Sequence, residues 1–272
     1  MGIMAGLIRW PPLRRRVWKL VYERSARPSA GVVSDLNCLN FGFAPTDGPA
    51  GDLPLEPGER LERLSLALYD HVAGIGTRAL AGAEVLEVGC GRGGGAAFLH
   101  RTRGPSRYLG VDFSDGNVAL ARERHGAETL TFAVANAEAL DLPDERFDVV
   151  LNVESAHCYG DRLAFLNEVH RVLRPGGELK LADVFQRRIH LPSFEDAVAR
   201  SRLDRVACAD VTANVIASRR QVRPLAEELT RGLGPAERTR VLNWAAVEGT
   251  RVFDDFVNGR FCYLTWVLRR PA

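Results

Sequence analysis

The sequence predicts an α/β fold, a doubly wound and mainly parallel sheet of seven strands with helices on both faces. Two observations carry that prediction. Short apolar runs alternate with helical patterns from residue 84 to residue 184. The first of them, Glu84–Val88, breaks into Gly89-Cys90-Gly91-Arg92-Gly93-Gly94-Gly95, and a second strand ends in Asp112 roughly twenty residues on. That spacing belongs to a nucleoside-binding crossover unit, where the chain turns tightly and leaves its backbone bare for a ligand.

Taken in order, residues 1–58 are expected to form a helical N-terminal lid, and 59–272 the main domain. Arg14 to Arg24 alternates basic with apolar side chains. It reads as a lid helix with a solvated arginine face, with membrane contact through residues 14–24 as the alternative. The Pro/Gly-rich stretch from Pro45 to Gly58 is a loop. Leu61, Leu64, Leu68, Val72 and Ile75 fall at helical spacing and predict an amphipathic helix over Glu59–Leu80. Strands are expected at Glu84–Val88, Arg107–Val111, Leu130–Val134, Phe147–Asn152 and Gly177–Val184. Helices are expected to start near Gly94, Ser114, Ala137 and Asp161, with Ser114 as a cap. Phe194 to Leu242 reads as mostly helical, an insertion over about 192–250, with a sixth strand in the run Arg205–Val211. A last strand follows at Phe261–Leu268.

Composition excludes several classes. The 272 residues carry 36 basic and 34 acidic side chains, a net charge of +2, so nothing marks a nucleic-acid surface. Cys38, Cys90, Cys158, Cys208 and Cys262 are odd in number and widely spaced, which supports neither a disulfide framework nor a metal site. Met4–Ile8 is too short for a signal core, and a cytoplasmic location is expected. The numbers leave a homodimer open.

Glu87 inside the first strand, Cys90 between the glycines and Gly110-Val111-Asp112 at the second strand end resemble the class I S-adenosylmethionine-dependent methyltransferases. A dinucleotide site keeps an apolar residue where Glu87 stands, which disfavours a nicotinamide enzyme. The phrase Arg171-Val172-Leu173-Arg174-Pro175-Gly176-Gly177 fits the same family. The resemblance implies a Rossmann-like sheet with an antiparallel last strand, and S-adenosylmethionine as cofactor. It implies cofactor contacts from Glu87, Gly89, Cys90, Gly91, Gly93, Asp112 on the ribose, Phe113 beside the adenine, Asn136, Ala137 and Asn152. Asn136 departs from the aspartate usual there, though an amide oxygen still accepts a hydrogen bond.

The fourth strand lacks the Asn-Pro-Pro-Tyr phrase of base and glutamine methylating enzymes. Asn152-Val153-Glu154-Ser155-Ala156-His157-Cys158-Tyr159 and Leu39-Asn40-Phe41-Gly42 are instead similar to methyltransferases of sterols, mycobacterial lipids and polyketide or sugar-bearing natural products. The expected partner is therefore a small hydrophobic acceptor, and the expected reaction methylation of its hydroxyl. His157 is the candidate base, with Asp183 orienting it. Simple packing of His157 over the cofactor, with Asp183 capping a loop, is the competing reading. Phe41, Tyr159 and Trp244 are candidate acceptor contacts, against the commoner role of such aromatics as core. Methylation at carbon, and a non-methylating cyclase or partner protein on the same fold, are the alternatives.

Overall fold

The computed structural model describes residues 35–47 and 51–272, so the basic run at 14–24 lies outside the described residues. A 3₁₀ turn over Pro57–Glu62 leads into α1 (Arg63–Gly74). Then follow β1 (Glu84–Val88), α2 (Gly94–Arg103), β2 (Arg107–Asp112), α3 (Asp115–His125), β3 (Leu130–Val134) and β4 (Phe147–Val153). Next come α4 (Arg162–Val172), β5 (Leu173–Gln186), α5 (His190–Arg200) and β6 (Asp204–Asp210). The chain closes with α6 (Thr212–Leu229), α7 (Pro235–Trp244), α8 (Arg251–Val257) and β7 (Phe261–Arg269).

The seven strands form one sheet in the order β3-β2-β1-β4-β5-β7-β6. β1 pairs in parallel with β2 and β4, and only β7 runs against its neighbours. Alternation along the central strands separates two cores. Val85, Val149 and Leu151 face the layer of α1 and α2, where Leu66, Tyr69 and Phe98 are buried. Leu86 and Val150 face Phe165 of α4 and Phe194 of α5 on the other side. Both faces of the sheet are thus covered, as parallel strands require. The chain winds one way through β2 and β3, then returns to add β4 and β5 on the other side of β1. A crevice opens at that reversal, outside the carboxyl ends of β1 and β4.

Two elements differ from expectation. α1 stops at Gly74 instead of running to Leu80. The Glu178 carboxylate accepts the backbone N–H groups of Thr77 and Arg78, both at 3.0 Å, and so fixes a turn that a helix cannot share. No helix starts at Ala137; residues 136–139 close a tight turn through an isolated bridge. Arg171 of α4 donates to the carbonyls of Leu140 (2.7 Å) and Leu142 (2.6 Å), and Glu168 accepts from Leu140 N–H. Those bonds take the backbone groups a helix would use, and Pro143 forbids its continuation. The sixth strand lies where it is expected and divides the helical stretch, leaving α5 before it and α6 to α8 after it. Ser114 and Asp161 do cap α3 and α4, accepting from Asn117 N–H and Ala164 N–H.

Candidate active site

The glycine turn follows β1 directly. Gly89 sits at φ 82°, a conformation that costs any residue with a Cβ. A Cβ there would lie 2.2 Å from Ser155 Oγ. The Asp112 carboxylate at the end of β2 accepts Gly91 N–H at 3.0 Å and Ser114 N–H at 2.9 Å, which locks the turn to the neighbouring strand. Gly93 serves packing, since a Cβ there would meet the Phe132 ring at 2.8 Å.

Two adjoining hollows lie over this turn. One is apolar, bounded by Val88, Val111, Phe113, Ala135, Asn136 and Ala137. The other is polar and holds Asn37, Asn40, Gly91, Asn117 and Glu154 beside the turn; both share Gly89, Asp112 and Tyr159. A flat apolar slot joined through a carboxylate to a polar end fits a nucleoside carrying an amino-acid tail. Asn117 supports that fit, because its buried Oδ1 has no hydrogen-bond partner among the described residues and stands ready for a donor. Asn117 carried no motif in the sequence; it sits three residues after the Ser114 cap, a place the capping pattern alone explains.

Glu87 and Asn152, both expected at the cofactor, lie beneath the cleft and line neither hollow. Period-two alternation turns Glu87 into the α1 side, where Tyr69 and Tyr108 hydroxyls donate to it at 2.9 and 2.7 Å. Asn152 donates to Val88 carbonyl, Ser155 Oγ and Tyr159 hydroxyl, bracing the strand ends. Tyr159, expected at the acceptor, lines the nucleoside hollows instead.

Burial pushes the Glu87 pKa up from 4.5 to about 7, although the two tyrosines favour its charged form. Because the folded value is raised, ionising Glu87 destabilises the fold. The stabilisation present at low pH is therefore lost as pH climbs from about 4.5 to about 7. Glu87→Gln should remove this slope and raise stability at pH 7.5 by about 3 kcal/mol relative to wild type. Urea unfolding at pH 5 and 7.5 tests this; parallel pH slopes in the two proteins would refute it.

A third space lies against the polar hollow and shares Cys38, Leu39, Asn40 and Glu154 with it. It encloses about 1330 Å³ including its open mouth, between residues 36–41, Leu61 and the α6–α7 pair. Phe41 and Trp244 line it, as does His157. His157 Nδ1 lies 2.8 Å from Asp183 Oδ1, and its backbone N–H donates to Asp183 Oδ2 at 2.7 Å. Asp183 is wholly buried at the end of β5. Burial opposes the imidazolium, but Cys158 and the Asp183 carboxylate outweigh it and hold the His157 pKa well above 6.5. Glu154 takes a left-handed backbone, φ 52°. It accepts Phe41 N–H (2.8 Å) and Tyr263 hydroxyl (2.9 Å), tying the 35–47 segment over the site. Burial raises its pKa to about 7.

The family described as "Methyltransferase domain" matches residues 86–181, the stretch that holds the glycine turn and His157. Over 204 residues the chain is 38% identical to a probable phthiotriol/phenolphthiotriol dimycocerosates methyltransferase of Mycobacterium ulcerans, covering 74% of this chain and 76% of that one. The chain belongs to the S-adenosylmethionine-dependent methyltransferase family. A fatty-acid O-methyltransferase of Mycolicibacterium smegmatis is 39% identical over 198 residues, 73% of this chain and 70% of its own. In fold the chain is similar to geranyl diphosphate C-methyltransferase of Streptomyces coelicolor, with a TM-score of 0.70 at 20% identity over 94% and 98% of the two chains. It is equally similar to the cyclase SpnF, with a TM-score of 0.69 at 22% identity over 93% and 94%. The doubly wound sheet and the methyltransferase assignment are thus those the sequence predicted.

Proposed function

We propose that this methyltransferase alkylates an oxygen of a hydrophobic lipid or natural product, with His157 as general base. The observation that carries the reading is the His157–Asp183 pair, a buried carboxylate holding an imidazole at the wall of an apolar chamber that adjoins the nucleoside cleft. S-adenosylmethionine supplies an electrophilic methyl group on a sulfonium. Asp112, Asn117, Phe113, Asn136 and Ala137, which line the two hollows, would hold it.

The chain's own work is alignment and proton removal. Asp183 accepts from Nδ1–H and so leaves Nε2 as the basic nitrogen of the ring. His157 takes the hydroxyl proton; the methyl group would come from the sulfonium, whose sulfur would keep the electron pair of the broken C–S bond. The resulting imidazolium is stabilised by Asp183, the same interaction that raises its pKa. Phe41 and Trp244 wall the chamber and exclude water from the acceptor. Relatives named for dimycocerosate lipids and for fatty acids support an apolar acceptor. Of the expected lid, residues 1–58, the described segment 35–47 is tied over the site by the Phe41–Glu154 bond, which supports that reading, while 1–34 and 48–50 lie outside the described residues. Five cysteines without disulfides suit the reducing cytoplasm.

The test is transfer of labelled methyl from S-adenosylmethionine to an apolar extract, with the product resolved by NMR. An O-methyl product is expected. A new C-methyl group, or no transfer despite tight binding of S-adenosylhomocysteine, would overturn the oxygen reading.

A further inference from the structure

The chamber holds one guanidinium that the reaction does not use, beside the carboxyl groups of Glu62 and Glu154. Arg219 lines it from α6 and is 5% exposed, among Val222, Leu225, Ala226 and Val241. Among the described residues its guanidinium donates only to neutral oxygens, Ala245 carbonyl at 3.3 Å and Ser218 Oγ at 3.0 Å. Its Nε is buried without an acceptor among the described residues. Among the described residues no carboxylate pairs with it. Glu154 acts on it only through space, because its carboxylate is engaged by Phe41 and Tyr263.

Two other buried ions in this fold are well provided for. Lys180 donates to Ala73 and Arg78 carbonyls at 2.8 and 2.7 Å, and Glu178 receives Arg269 at 2.7 Å. Arg219 alone faces a large apolar space with donors to spare. A guanidinium stays charged even when buried, and its planar fork matches an oxyanion better than any neutral group. An uncompensated cation in such a wall disfavours a purely hydrocarbon occupant and favours one that brings the missing negative charge.

We propose that Arg219 anchors an anionic oxygen group on the acceptor, so that the chamber selects amphiphilic acids over neutral molecules of the same length. The inference rests on reading the chamber as the acceptor site. Arg219 falls on the inward stripe Val215, Arg219, Val222 and Ala226 of α6, where the helical period alone calls for an apolar side chain.

Calorimetry on the full chain saturated with S-adenosylhomocysteine tests it, with decanoate and 1-decanol as matched probes. Decanoate should bind about ten-fold more tightly than decanol. Arg219→Gln should abolish that preference and Arg219→Lys retain part of it, with S-adenosylhomocysteine affinity unchanged in both. Equal binding of the two probes to wild type overturns the proposal whatever the variants do, while leaving the chamber as an acceptor site. Binding of neither probe overturns both readings together.

Discussion

Replacing His157 by alanine is expected to slow methyl transfer to oxygen by about 10²–10⁴-fold, the contribution of one well-placed base. S-adenosylhomocysteine affinity should stay within about two-fold, since the ring lines the acceptor chamber and neither nucleoside hollow. The substitution leaves the local backbone held: residue 157 still donates its N–H to Asp183, which also accepts from Val184 N–H. A rate loss therefore reports the imidazole and not a collapsed loop.

The pH profile provides a second reading of the same group. In the proposed mechanism the base works deprotonated, and Asp183 with Cys158 raises the His157 pKa, so kcat/KM should rise with pH through a value well above 6.5. Asp183→Asn removes the stabilising charge. It should move that limb to lower pH and lower the plateau, because a weaker base accepts the proton less readily. A His157→Ala enzyme with an unchanged rate and pH profile would leave a proximity-only mechanism in place of the base.

Gly89→Ala should weaken cofactor binding by at least about ten-fold and cost about 2–4 kcal/mol of stability. Two penalties act together. An alanine at φ 82° is strained, and its Cβ would lie 2.2 Å from Ser155 Oγ. Ser155 cannot move cheaply, since it bonds Asn152 at 2.8 Å and Tyr159 at 2.9 Å in the network that braces the floor of the cleft. Adding Ser155→Ala should relieve only part of the clash, because Ser155 Cβ would itself lie 2.5 Å from the new methyl group; Ser155→Gly removes both contacts and leaves about 1–2 kcal/mol of backbone strain. Calorimetry with S-adenosylhomocysteine and urea unfolding measure the two effects separately. Wild-type affinity in Gly89→Ala would show that the cleft does not depend on this turn.

Much of this site was legible before any coordinates. Glycine spacing, the carboxylate at Asp112 and the alternation of strands are local features, and they located the cleft at the ends of β1 and β2. His157 and Asp183 were legible as strand-end residues, which this fold directs toward its ligand. Other residues were misplaced for geometric reasons. Glu87 is conspicuous in sequence, but strand alternation turns it under the turn toward Tyr69 and Tyr108. The expected helix at Ala137 lost to backbone bonds from Arg171, a residue far along the chain.

By itself, then, the sequence determined the sheet, the cofactor turn and the class of chemistry, because each is written in neighbours a few residues apart. Only the tertiary structure decided which polar groups meet. It set Asp183 against His157 across 26 positions, and it closed residues 36–41 and α6 over an apolar chamber. It also left Arg219 in that wall without a counter-ion among the described residues. Contacts of that kind depend on packing between distant elements, and burial gives each of them its charge state and its strength.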